Sequence, residues 1–197
     1  MKPVLCLASA SPRRQELLRQ IGVPHVVSAP NIDEHVRDRE PPDAYVLRMA
    51  REKAAAVWAS TAARRDLPVL GADTAVVLDN QVLGKPADAL AGFAMLRLLS
   101  GGTHRVLTGV ALRTNDAELA RLSSSEVTFR AVTDAEARSY WESGEPRDKA
   151  GGYAIQGRGA IFVEKLQGSY SGVMGLPLYE VAGLLREAGV PLDWSAV

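Results

Sequence analysis

The 197-residue chain sets 23 Lys and Arg against 23 Asp and Glu, and 47% of its residues are hydrophobic. That is enough apolar material for one large domain, or for one domain with two lobes, and zero formal charge argues against a general nucleic-acid or membrane-surface binder. The single Cys6 lies in an apolar run without an internal disulfide partner, which fits a core thiol in a reducing cytoplasm. No apolar run reaches transmembrane length, and the short apolar stretch before Arg13-Arg14 is not expected to be a targeting segment. His25, His35 and His104 are scattered without metal-ligand spacing, against a zinc site.

In chain order, the run 4–8 reads as a buried strand. A helix follows, with Ser11 suited to its N-cap, Pro12 to its first position, and Gly22 to its end. Arg13 and Arg14 stand in the first turn, where the helix dipole disfavours cations, and Arg14 shares a stripe with Leu17, Leu18 and Ile21. Strand, Ser-rich turn, free helix N–H groups and two arginines describe an anion site. The alternative is an arginine pair in a solvated first turn, with or without a salt bridge to Glu16. A short strand is expected over 25–28, then a turn carrying Asp33 and Glu34, either solvated loop charge or ligands for a hard divalent cation.

Pro41-Pro42-Asp43 opens a second helix, which runs to about Ser60 on the stripe Val46, Met49, Ala50, Ala54 and Val57. Lys53 lies inside that stripe, so it either snorkels to solvent or reaches a buried anion. The run 68–78 is apolar on both faces and reads as a central strand interrupted by Asp73. A carboxylate there is costly unless it is paired, binds metal or lies at a cleft, which makes Asp73 the leading candidate for a catalytic base or metal ligand. Its alternative is a structural carboxylate capping a turn. Asp79-Asn80 turn the chain into 81–83, and Gly84-Lys85-Pro86 presents a lysine beside a rigid turn without the Walker A pattern.

A third helix is expected over 88–99, strands over 105–112, 119–122 and 126–132, and a fourth helix behind the capping box of Thr133 and Glu136. Short strands are expected over 153–157 and 160–163 around Gly157-Arg158-Gly159, and a last helix over 177–187. Strands and helices interleave, so the class is α/β or mixed α+β with one continuous sheet. Ser9, Ser11, Arg13, Arg14, Lys53 and Lys85 are donors or cations in places that do not favour them, while Asp33, Glu34, Asp73 and Asp148 are carboxylates able to hold a metal. Cations with carboxylates suit phosphoryl chemistry on a nucleotide or polyphosphate, with attack by water.

Ser9-Ala10-Ser11-Pro12-Arg13-Arg14 resembles the opening signature of the Maf family of nucleoside triphosphate pyrophosphatases. Gly71-Ala72-Asp73-Thr74, Gly84-Lys85-Pro86, Leu99-Ser100-Gly101 with His104, Asp148-Lys149-Ala150-Gly151, Ile155-Gln156-Gly157 and Gly168-Ser169-Tyr170 to Gly175-Leu176-Pro177 match in the same order. The resemblance covers nearly the whole chain. It implies a cytoplasmic enzyme that hydrolyses a nucleoside triphosphate to monophosphate and pyrophosphate, a divalent metal (Mg or Mn), an elongated mixed sheet flanked by helices with two lobes around a cleft, and a possible homodimer.

It further implies Asp73 as proton acceptor, and base specificity at Arg14, Thr74 and Gln156. Asp-Thr with Ile-Gln-Gly is similar to the group acting on dTTP and UTP. The resemblance assigns Ser9, Ser11, Arg13, Lys53 and Lys85 to the triphosphate and Glu34, with Asp73, to the metal. The alternatives are a pyrophosphatase for 7-methyl-GTP or non-standard purines, and a non-catalytic nucleotide-binding regulator of septum formation. Two positions depart from the pattern: Gly172 where Asn is frequent, and Gly102 where Arg or Gln is common.

Overall fold

The structure is a computed structural model that describes residues 2–60, 67–190 and 192. Its elements are β1 (Leu5–Ala8), α1 (Pro12–Gln20), β2 (His25–Val27), α2 (Pro42–Ala59), β3 (Val69–Leu78), β4 (Gln81–Leu83), α3 (Ala89–Leu99), β5 (Thr103–Arg113), β6 (Glu118–Phe129), α4 (Asp134–Glu142), β7 (Val163–Gln167), α5 (Tyr170–Met174) and α6 (Leu178–Glu187). Three short 3-10 turns lie between α4 and β7. The mixed α/β class expected from the sequence holds. The sheet order is β2-β1-β3-β5-β6-β7, with β4 paired to β3 off this path.

β3 is the hub. It runs parallel to β1 from Val69 to Gly71 and antiparallel to β5 from Val69 to Val77. Asp79 and Asn80 both take positive φ, 46° and 66°, which turns β3 tightly back into β4. Side chains alternate across the sheet with period two. One face carries Cys6, Ala8, Val69, Ala75, Val77 and Leu107 and is covered by α2 through Val46, Met49, Ala54 and Val57. The other face is covered at one end by α1 and α6, with Leu5, Leu7, Leu70 and Val110 packed on Leu17, Leu18 and Leu184. At its other end, Val76, Val106, Val127 and Phe129 pack on Leu96, Leu99, Tyr140 and Phe162.

α2 lies flush on the sheet because two glycines stand beneath it. A Cβ on Gly71 would come 2.1 Å from the Ala50 carbonyl oxygen, and one on Gly109 would come 2.4 Å from that of Val46. These are backbone atoms of a buried helix and cannot swing aside.

Two expectations are corrected. The strands expected over 119–122 and 126–132 are one strand, β6, because Ser123 and Ser125 are buried and paired with Thr108 and Val106. The strands expected over 153–157 and 160–163 do not form; that segment is a turn followed by a 3-10 helix at Arg158–Phe162. Side chains take the backbone donors that a ladder would have used. The Ala154 N–H donates to the Tyr140 hydroxyl at 3.0 Å, and the N–H groups of Arg158 and Gly159 donate to the Glu145 carboxylate at 2.9 and 3.1 Å. The short helix α5 carries no sequence period long enough to be read.

Gly109→Ala, on β5 directly opposite Asp73, is expected to lower stability by about 1–3 kcal/mol through overpacking against α2. Urea denaturation checks this, and an unchanged midpoint would mean that α2 tolerates displacement.

Candidate active site

β1 accompanies β3 only as far as Gly71, and β4 joins the same edge only from Val76. Residues 72–75 of β3 therefore have no strand partner on that edge among the described residues. A cleft of about 630 Å³ opens in this gap. It lies beyond the carboxyl end of β1, where the chain turns into α1, the usual place for a ligand in an open α/β sheet.

Alternation sends the two central residues of the gap to opposite faces. Asp73 points toward α2. Its Oδ1 accepts from Lys53 Nζ at 2.6 Å, and the same ammonium lies 2.8 Å from Glu34 Oε1. The Lys53 and Asp73 side chains are only 8% and 9% exposed, so Lys53 serves a buried anion and does not snorkel. Burial pushes the Glu34 carboxyl up, but the hydrogen bond and charge of Lys53, aided by Lys85 and Arg14, outweigh it and hold the group below the ordinary carboxylate range. Tyr45 braces the Glu34 segment by donating its hydroxyl to the Glu34 carbonyl at 3.0 Å. Its own pKa is pushed up to about 12, first by burial and then by the fields of Asp73 and Glu34.

Thr74 points to the opposite face and meets Arg14. The guanidinium donates from Nε to the Gly175 carbonyl at 2.8 Å, from Nη1 to Ser9 Oγ at 3.1 Å and from Nη2 to Thr74 Oγ1 at 3.3 Å. Burial lowers the Arg14 pKa against the opposing fields of Asp73 and Glu34. Its hydrogen-bond partners are all neutral, so its charge is left for the cleft. Buried and bonded in this way, Arg14 is not the solvated side chain of the alternative reading, and neither Arg13 nor Arg14 forms an ion pair with Glu16 among the described residues. Ser11 is the N-cap residue of α1 as expected, but its side chain makes no capping bond; Ser9 Oγ instead accepts from the Ser11 N–H at 3.2 Å.

The cleft is lined by Ser9, Ser11, Arg13, Arg14, Glu34, Lys53, Asp73, Thr74 and Lys85, nine of the ten residues that the family resemblance assigns to the site. Gln156 is exposed and lies outside that lining. With its amide oriented so that oxygen faces the guanidinium, it accepts from Arg13 Nη1 and Nε at 3.1 and 3.3 Å. Asp148 joins the cleft wall, paired with Lys149, and Asp33 stays on an exposed loop beside His35. Sequence reasoning missed Tyr45, Tyr153, Lys149 and the Gly175 carbonyl. The first three carried no signal beyond their chemistry, and a backbone acceptor carries none. His104 holds Tyr153 at the wall, Nε2 to hydroxyl 2.8 Å, and burial lowers the imidazole pKa to about 4, leaving it neutral.

A buried carboxylate braced by an ammonium, with guanidinium groups and hydroxyls converging on one gap, defines a site for a multiply charged anion. A family model described as Maf-like protein matches residues 4–188. The chain belongs to the Maf family. It is 58% identical over 189 residues to the dTTP/UTP pyrophosphatase of Alkalilimnicola ehrlichii, covering 94% of this chain and 93% of that relative. It is 54% identical over 181 residues to the dTTP/UTP pyrophosphatase of Salmonella typhimurium, covering 92% and 91%. It is 52% identical over 189 residues to that of Saccharophagus degradans, covering 95% and 90%.

Removing one partner of the buried pair leaves a charge without compensation. Lys53→Met is expected to destabilise the protein by about 3 kcal/mol or more, and Lys53→Met with Asp73→Asn to recover part of that loss. Thermal unfolding of the three variants checks this; a double variant no more stable than Lys53→Met would show that the ion pair is not what Lys53 supplies.

Proposed function

We propose that this chain hydrolyses nucleoside triphosphates to the monophosphate and pyrophosphate, with dTTP and UTP as its substrates, in the cytoplasm. The observation that carries the reading is Asp73: a buried carboxylate at the floor of a cleft rimmed by Arg13, Arg14 and Lys85. The names of relatives more than half identical over nearly the whole chain support the choice of substrate.

Ser9, Ser11, Arg13 and Lys85 bind the triphosphate and offset its charge. Lys53 holds Asp73 Oδ1, so the carboxylate meets its target in one orientation. Asp73 takes a proton from a water that attacks the α-phosphorus. The bond from that phosphorus to the bridging oxygen breaks, and pyrophosphate leaves among the cationic groups. Thr74, Arg14 and Gln156 meet the base.

The Glu34 and Asp73 carboxylates fit a hard divalent cation, which commonly takes one or two carboxylates and completes its shell with substrate phosphates and water. Among the described residues no group of three or more His, Cys, Asp and Glu is assembled, so phosphate oxygens would be required. Bound there, magnesium or manganese would supply charge neutralisation on the phosphates. No helix among the described residues is long and apolar enough to cross a membrane.

Pyrophosphate release from a nucleotide panel with magnesium or manganese, with and without chelator, tests the reading. Metal-dependent release from dTTP and UTP is expected, and Asp73→Asn is expected to lower turnover by at least a hundredfold with the fold retained. Release from purines alone would overturn the base assignment, and near-normal turnover by Asp73→Asn would overturn the role of Asp73.

A further inference from the structure

Thr74 Oγ1 makes two side-chain contacts whose polarity is fixed by one buried neighbour. Thr108, on β5 directly opposite Thr74, is 1% exposed. Its Oγ1 lies 2.8 Å from the Gly172 carbonyl oxygen and 3.0 Å from Thr74 Oγ1. A carbonyl oxygen only accepts, so the single Thr108 hydroxyl hydrogen is spent on Gly172. The bond between the two threonines then has one possible donor, Thr74. The guanidinium of Arg14 only donates, so its 3.3 Å contact takes a lone pair of Thr74. The chain runs one way: Arg14 to Thr74 to Thr108 to the Gly172 carbonyl.

We infer that Thr108 is a positioning residue for base selection: it takes the Thr74 hydroxyl hydrogen, so that Thr74 offers the cleft only a lone pair. The group that meets Thr74 must then be a donor. Uracil and thymine present an imide N3–H on the edge where cytosine presents a bare N3 acceptor. Cytosine therefore meets Thr74 with the wrong polarity. Mispaired polar groups of this kind cost far more in discrimination than a missing methyl group.

The role does not depend on Thr108 touching substrate; it lies behind Thr74 and does not line the cleft. It also gives the Gly172 backbone a purpose at a position where the sequence departs from the family pattern. A Cβ there would press on Ser169 and on Ser123 Oγ at 3.1–3.2 Å, so Gly172 leaves its carbonyl room to face Thr108.

The inference takes its ligand class from the pyrophosphatase reading, but its test does not need turnover. Dissociation constants for uridine and cytidine monophosphate would be measured by calorimetry on the wild type, Thr108→Val and Thr108→Ser. The wild type is expected to prefer the uridine nucleotide by at least tenfold. Thr108→Val frees the Thr74 hydrogen to turn toward the ligand and is expected to bring the ratio within about threefold, with cytidine binding improved. Thr108→Ser keeps the hydroxyl and is expected to keep the ratio. Should Thr108→Val fail to fold, Thr108→Ala answers the same question. A wild type that binds the two equally, or binds neither, overturns the inference, and so does a hydroxyl-free variant that weakens both nucleotides alike. A wild type that shows the binding ratio yet releases no pyrophosphate overturns the pyrophosphatase reading and leaves this one standing.

Discussion

The site depends on an unpaired stretch of strand edge. β3 is bonded to β5 along nearly all its length on one side, but on the other β1 leaves at Gly71 and β4 arrives only at Val76. Backbone groups and side chains in the gap need partners from elsewhere. The first turn of α1 lies over the gap and brings hydroxyls and guanidinium groups with it. Because the strand is otherwise embedded in the sheet, the residues of the gap are held in fixed register, and a site built on them is more exact than one built on a free loop.

Strand alternation divides the labour within that gap. Asp73 and Thr74 are neighbours in sequence, yet they face opposite layers. Asp73 meets Lys53 of α2, and Thr74 meets Arg14 of α1 and Thr108 of β5. The gap therefore holds two different polar sets one residue apart, a carboxylate with an ammonium on one layer and hydroxyls with a guanidinium on the other. The glycines beneath α2 serve the first of these layers: without a Cβ at Gly71 and Gly109, the helix comes close enough for Lys53 to reach Asp73.

The polar chains of the site run toward neutral acceptors as well as toward charges. Arg14 is satisfied by a carbonyl and two hydroxyls, so its positive charge is held in place without being cancelled. Lys53 differs, since it is shared by two carboxylates. Both arrangements keep ionised groups partly out of water, at a cost that only a ligand of opposite charge would offset fully.

Much of this was legible in the chain itself. The apolar run around Asp73, the stripe holding Lys53 and the arginines in a helix first turn each announced a charge in the wrong place, because burial of charge is costly enough to leave a mark in a one-dimensional pattern. The capping box at Thr133 and the Asp79-Asn80 turn were readable because local hydrogen bonds and positive φ select residue types directly. What the chain did not reveal are features set by partners far away in sequence. The segment at 153–162 is rich in β-forming residues, but Tyr140 and Glu145 take its backbone donors and turn it away from the sheet. The direction of the Arg14–Thr74–Thr108 chain depends on a carbonyl at Gly172, 64 residues from Thr108. Sequence determines which residues resist their surroundings; only tertiary structure decides which distant atom satisfies them, because hydrogen-bond polarity is a property of the assembled set and of no residue in it.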